Sequence, residues 1–261
     1  MKKALLSLVS LASAAGLASA SNNFSYTATG NPGTNPDGVD QNSNPLQVWS
    51  VALTPGFSGA DGEGVYEGIP GGSSGEFSGW QEYSYQNDGV GNGGSVDATT
   101  TFAGGALAIG QTVSINFEMR ATDPGTQVGI SLLNGSGNAI TFGIFGGEPG
   151  AFAYTGSGYY YNDAGSGGDV SAGSMGYQYQ APFNIAFTVT GAGTYSAVAG
   201  SDSWSGTFSG SLIGMDVFNH AAGNGSDVGF NNLTVVPEPS TWAMLATGSL
   251  MLLGYRRSRR A

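Results

Sequence analysis

The chain has 261 residues with 46 glycines, no cysteine and a formal net charge of −11. The absence of cysteine rules out disulfides, a cysteine nucleophile and most zinc centres. Lys2, Lys3 and four C-terminal arginines leave Arg120 as the one basic residue of the region between the ends, which carries 17 of the 18 acids; such a surface cannot neutralise phosphates, so nucleic-acid binding is excluded.

At the N-terminus, Lys2 and Lys3 precede an apolar run from Ala4 to Leu17 and then Ala18-Ser19-Ala20. A basic start, a short greasy core and small residues at −3 and −1 predict a signal peptide over residues 1–20, with Ala18 and Ala20 at the cleavage site. Export follows from that reading. The domain is then expected over 21–236.

Inside it the dominant pattern has period two, the signature of half-buried strands. Over Thr112–Arg120, Val113, Ile115, Phe117 and Met119 share one face, with Glu118 and Arg120 on the other. Phe183, Ile185, Phe187 and Val189 repeat the pattern, as do Val128, Ile130 and Leu132, and then Ile140, Phe142 and Ile144. Asn134-Gly135 between the last two has the chemistry of a tight hairpin. Further strands are expected at Tyr195–Ala199, Trp204–Phe208, Leu212–Phe218 and Val228–Val236, separated by Gly, Ser and Asn turns. In the last of these Val228 and Phe230 have one parity and Leu233 and Val235 the other, which predicts a bulge at Asn231-Asn232. An N-terminal strand at Asn23–Thr29 is expected to pair near it. One-sided alternation on so many strands predicts an all-β fold, a two-sheet antiparallel sandwich. A β-helix would need a fixed repeat, and none is present.

This layout resembles the concanavalin A-like jelly roll of lectins, laminin-G modules and laminarinase-type hydrolases, chiefly over Tyr195–Val236. The hydrolases of that family carry Glu-x-Asp-x-(x)-Glu on one strand, which the chain lacks. Glu63 and Glu67 are four apart in a Gly-rich segment, and Glu118 is expected to pair with Arg120. No catalytic residue is assigned on this reading. A retaining glycosidase would need two carboxylates about 5–5.5 Å apart. The single histidine, His220, is expected in a loop after the Leu212–Phe218 strand, and no nucleophile elbow makes a triad of it with Asp216.

Asp and Asn crowd several glycine loops: Asp61-Gly-Glu-Gly, Asn87-Asp88-Gly89, Asn162-Asp163, and Asp227 with Asn231 and Asn232. Such loops can supply the oxygens calcium wants, but they are also ordinary turn formers, so no cofactor is assigned and Ca²⁺ stays a candidate. Among the aromatics, Trp80, Tyr83, Tyr159 and Tyr160 are candidate glycan contacts. Their alternative role, with Tyr85, Tyr161, Tyr177 and Tyr179, is to cover a sheet face.

The C-terminus is the most specific signal. Pro237, Glu238 and Pro239 lead into an apolar stretch over about 241–255, containing Trp242, Leu245, Leu250, Leu252, Leu253 and Tyr255, and then Arg256, Arg257, Arg259 and Arg260. The stretch approaches the lower limit for a helix spanning about 30 Å of hydrocarbon. Flanking aromatics and a basic stop fit a membrane anchor whose arginines stay cytoplasmic. Residues 237–261 closely resemble the PEP-CTERM sorting signal of Gram-negative bacteria. The resemblance implies recognition by exosortase, a membrane-embedded transpeptidase-like enzyme, and a final site at the cell envelope or in extracellular polysaccharide. It transfers an address rather than an activity. The expected role is therefore a non-catalytic structural, adhesive or weakly glycan-binding module. The alternative is a divergent polysaccharide-degrading glycoside hydrolase on the same fold.

Overall fold

A computed structural model of the chain describes residues 24–25, 40–43, 46–54, 62–68, 79–85, 95–122, 126–145, 158–175, 181–220 and 226–236. The expected signal peptide with Ala18 and Ala20, the tail from Pro237 onward and its expected helix at 241–255 lie outside the described residues.

Sixteen strands follow one another: β1 Phe24–Ser25, β2 Asp40–Ser43, β3 Leu46–Thr54, β4 Gly62–Gly68, β5 Gly79–Tyr85, β6 Ser95–Thr101, β7 Thr112–Thr122 and β8 Gln127–Asn134. Then come β9 Gly137–Phe145, β10 Tyr160–Asp163, β11 Val170–Ser171, β12 Phe183–Gly191, β13 Thr194–Ala199, β14 Asp202–Thr207, β15 Gly214–His220 and β16 Ser226–Val236. They form two eight-stranded sheets, and no helix occurs among the described residues. Sheet A runs β14-β13-β12-β7-β16-β5-β4, with β1 also on β16; sheet B runs β11-β10-β9-β8-β15-β6-β3-β2. Every pairing is antiparallel. This is the jelly-roll sandwich the alternation predicts.

The alternation also explains the core. From sheet A, Val113, Ile115, Phe117, Met119, Ile185 and Phe187 are buried; from sheet B, Val128, Ile130, Leu132, Ile140, Phe142 and Ile144 meet them. Trp49 of β3 joins the same cluster, 5.2 Å from the Phe230 ring of β16. With no disulfide available, burial of this cluster is the main stabilising contribution.

The expected bulge is present. The β16–β7 register shifts between Asn231 and Thr234, and Asn232 has φ of 55°. Asparagine tolerates that left-handed conformation, and the Asn231 Oδ1 accepts from the Asn232 N–H at 2.8 Å. As a result Val228, Phe230, Leu233 and Val235 are all buried despite their change of parity. The left-handed site makes a clear test: Asn232→Val should cost about 1–2 kcal/mol in thermal unfolding, and Asn232→Gly under ~0.5 kcal/mol. The expected N-terminal strand also pairs as foreseen, with Phe24 opposite Val235 and Ser25 opposite Thr234.

Three expectations need correction. The β8–β9 turn is Gly135-Ser136, with Asn134 opposite Gly137, so Asn134 flanks the turn rather than forming its centre. Its side chain closes the turn by accepting from Ser136 N at 2.7 Å and ties it to Ser209 O. The strand expected at Leu212–Phe218 begins at Gly214 and continues to His220, which is therefore a strand residue and not a loop residue. Trp204–Phe208 shifts to Asp202–Thr207. Glu118 is fully buried, and its expected partner Arg120 lies, as a side chain, outside the described residues.

Candidate functional site

Sheet B presents its outer face through the residues that alternate with the core row. On β6 these are Ser95, Asp97 and Thr99; on β15, Asp216, Phe218 and His220; on β8, Gln127, Gly129 and Ser131; on β9, Thr141 and Gly143; on β10, Tyr160 and Asn162. A groove of about 200 Å³ runs over this face, lined by Gln127, Asn138, Thr141, Tyr160, Asn162, Asp169, Phe218 and His220.

Two glycines shape its floor. Gly129 and Gly143 are opposite each other in the β8–β9 register. A Cβ at Gly129 would meet the Phe218 ring at 2.8 Å, and one at Gly143 the Tyr160 hydroxyl at 3.1 Å. Both aromatic rings therefore reach over backbone that carries no side chain, which is what glycine inside a strand allows. Phe145 stacks on Tyr160 at 4.7 Å between ring centroids. Because Phe218 leans over β8, the space above Asp97 on β6 is left to its two diagonal neighbours, His220 and Asp216.

The electrostatics follow from that placement. His220 Nε2 and Asp97 Oδ1 are 2.8 Å apart, the ring N–H donating to the carboxylate. Asp216 is 6% exposed and its Oδ1 has no hydrogen-bond partner. Burial, with the charge of Asp97 added, pushes its carboxyl up to about 8, so Asp216 is neutral through most of the physiological range. Burial and then the charge of Asp169 push the Tyr160 hydroxyl up to about 12, so it keeps its proton. The face offers hydroxyl and amide donors and acceptors beside carboxylates.

The wall of the groove is fastened to the other sheet. Asp163, on β10, points inward: its Oδ1 accepts from Gly165 N and Ser166 N, and its Oδ2 from the Tyr195 hydroxyl of β13 at 2.8 Å and Thr207 N of β14 at 3.2 Å. Gly206 is required there, because a Cβ would run into that oxygen. Burial and the bond to Asp163 hold the Tyr195 hydroxyl well above the usual tyrosine range. A second carboxylate, Asp202, accepts from Met175 N at 2.6 Å. Across the top, Tyr161, Trp204 and Phe142 stack in series at 5.5 and 5.3 Å.

The sequence candidates fare unevenly. Tyr160 lines the groove. Tyr159 does not: it is 2% exposed and stacks on Phe142 inside the core. Trp80 and Tyr83 stand on β5 opposite Phe230 and Asp227, and their side chains lie outside the described residues. In the Asn162-Asp163 loop, a candidate for calcium, both carboxylate oxygens of Asp163 are taken up by the protein, and Asn162 donates to Asp169 at 2.9 Å. Asp61, Glu63, Asn87, Asp88 and Asp227 fall outside the described residues as side chains. Among the described residues no group of three His, Asp or Glu side chains could hold a metal ion. His220 pairs with Asp97 rather than Asp216. Asp97, Gln127 and the Gly129–Gly143 pair escaped sequence reading. An isolated glycine within each of two adjacent apolar strands was the available signal.

Residues 235–260 match the PEP-CTERM protein-sorting motif. The match starts within β16. Val235 is still buried, while Val236 is 43% exposed. The motif marks the chain as an exported protein, sorted by an exosortase and transiently anchored in a membrane. No curated protein matches the chain in sequence. In architecture it is similar to an alginate lyase from Corynebacterium sp. (12% identity, TM-score 0.43, covering 72% of this chain and 93% of that one). It is likewise similar to an endo-β-1,4-glucuronan lyase from the fungus Trichoderma reesei (11%, TM-score 0.44, 71% and 94%). A third similar structure is a galectin from Caenorhabditis elegans (14%, TM-score 0.35, 51% and 86%). These likenesses are of sandwich architecture alone.

Proposed function

We propose that the chain is a cell-surface or extracellular-matrix protein whose body is a non-catalytic adhesive module making weak contacts with glycans. The observation that carries this reading is the outer-face groove, where Gln127, Asn138, Thr141 and Asn162 stand beside the Tyr160 hydroxyl over an aromatic floor. Side-chain amides and hydroxyls match the hydroxyl pattern of a sugar, and a groove of this size fits a saccharide unit better than a large ligand. The partners are then exosortase, the membrane before processing, and extracellular polysaccharide afterwards. Glycan-array screening of the purified chain tests the reading: binding should be measurable and should weaken in Gln127→Ala and Asn162→Ala. A flat array would overturn it.

The address has its own test. Replacing Pro237, Glu238 and Pro239 together with alanine should retain the protein in the membrane fraction. Unchanged release would count against exosortase sorting.

One observation favours the alternative, a polysaccharide-degrading hydrolase. Asp97 and Asp216 are diagonal neighbours on one sheet face, and their environments differ in the way an acid and a base require. Against it, His220 already engages Asp97, and Asp216 Oδ1 is buried. Release of reducing ends from polysaccharide, abolished by Asp97→Asn and by Asp216→Asn alike, would establish the hydrolase.

A further inference from the structure

We infer that the end of the sandwich from which the tail departs is seated on the lipid surface while the sorting motif holds the chain in a membrane. This surface is separate from the groove on the face of sheet B. Val236, the last residue of β16, stands opposite Thr112 at the start of β7. Four connections among the described residues meet at that end: 102–111, 135–136, 192–193 and 208–213. Backbone bonds tie them together. Phe102 N–H donates to Ile213 O, and Ile213 N–H to Leu133 O beside the β8–β9 turn. Phe208 N–H donates to Gly193 O, and Gly110 N–H to Val189 O of β12. None of the four connections carries Asp, Glu, Lys or Arg, although the chain has 18 acids and a net charge of −11. An uncharged end is the part of an acidic body that anionic headgroups do not repel.

The same end holds apolar side chains out to solvent. Ile109 is 65% exposed, against 49% or less for the other exposed large hydrophobics among the described residues, and Val236 is 43% exposed. A lone exposed aliphatic is ordinary, but this one is fixed in place. Gln111 N–H donates to Ala108 O at 3.0 Å and closes a turn with Ile109 second and Gly110 third. Gly110 has φ of 88°, which the third residue of a type II turn requires. The buried Gln111 side chain locks the turn by accepting from Ala108 N–H at 2.7 Å. Ile109 therefore enters an apolar layer without paying to order its loop. The occupant follows from the chain itself. The motif anchors it in a membrane, and the apolar stretch begins at Trp242. Residues 237–241 separate that stretch from β16, and five residues reach at most about 18 Å. The headgroup layer takes up about 5–8 Å of that reach. This end of the body is thereby kept beside the headgroups, with little room for a soluble partner between them.

The chain has no cysteine, so a single-cysteine variant of the full-length protein carries one environment-sensitive dye at a chosen position. Ile109→Cys is compared with Ser201→Cys, exposed in the β13–β14 turn at the opposite end, about 20 Å away along β13. Both are reconstituted through the intact tail into vesicles of phosphatidylethanolamine and phosphatidylglycerol. The dye at 109 should shift to the blue and lose most of its emission to a lipid-borne quencher, while the dye at 201 stays aqueous. Without dye, Ile109→Asp should speed exchange of the protein between vesicles about tenfold, with an unchanged thermal midpoint in detergent. Aqueous emission from both dyes would overturn the proposal, as would vesicles that fail to retain the chain. A blue shift that survives in detergent and grows with protein concentration would make this end a self-association surface. Quenching that requires exosortase in the membrane would make it an enzyme-docking surface. Either result sinks the proposal, and none of these outcomes bears on glycan binding by the groove.

Discussion

Asp216→Asn should make the protein more stable at pH 9 and somewhat less stable at pH 4. The carboxyl of Asp216 is buried, one oxygen is unpartnered, and its folded-state value is raised from 3.8 to about 8. A raised acid means that between those two values the native state holds a proton the unfolded state has lost. Stability therefore falls as pH climbs through that window, and above it the whole penalty is present. At 1.36 kcal/mol per pH unit the penalty saturates at about 6 kcal/mol. Asparagine has the shape of the protonated acid and no charge to bury, but its amide is desolvated at a cost of about 1–3 kcal/mol. The net gain at pH 9 should be about 3–5 kcal/mol, a rise in thermal midpoint of roughly 6–20 °C for a domain of this size. Thermal unfolding of both proteins from pH 4 to 9 checks it. A variant whose advantage does not grow with pH would show that Asp216 ionises without penalty.

Much of this fold is legible in the order of the residues, for a physical reason. Where one face of a strand is buried, parity is forced, so Val113 to Met119 and Ile140 to Ile144 announce their faces without ambiguity. The switch of parity at Asn231-Asn232 is readable for the same reason, because two strict alternations out of phase need one extra residue. Strand β6 is much harder to see. Its inward residues are Val96, Ala98 and Thr100, too small and mixed to register as an apolar row, yet it carries Asp97. His220 is misread because a polar residue after an apolar strand looks like a loop, whereas here the ladder with Ser95 and Gln127 continues one step beyond the last apolar side chain. The groove draws on four strands, β8, β9, β10 and the distant β15, so no local spacing could reveal it. Tyr159 and Tyr160 show the limit most plainly: adjacent tyrosines on one segment face opposite sides, and composition alone cannot say which one lines the surface.

Asp163→Asn should be among the most damaging single-atom changes in the described residues. This carboxylate, 9% exposed, accepts four hydrogen bonds: two from Gly165 N and Ser166 N of the turn after β10, and two, from Tyr195 and Thr207, that join β10 of sheet B to β13 and β14 of sheet A. An amide can present only one acceptor oxygen. If that oxygen keeps Gly165 N and Ser166 N, the NH₂ group faces the Thr207 N–H, donor against donor, with Gly206 leaving no slack for rotation. Two buried polar groups then lose their partners, at about 1–3 kcal/mol each, so a loss of roughly 3–5 kcal/mol in denaturant unfolding is expected. Tyr195→Phe, which deletes one of the four donors and leaves the carboxylate its other three, should cost about 1–2 kcal/mol. The difference separates a network from a single bond. Function should follow, because β10 carries Tyr160 and Asn162 and the turn after it carries Asp169. Glycan binding by Asp163→Asn should fall further than its folded fraction, whereas Tyr195→Phe should keep most of it. Equal losses of stability in the two variants would show that Asp163 is only one acceptor among many, and that the groove wall is held by the stack of Tyr161, Trp204 and Phe142 instead.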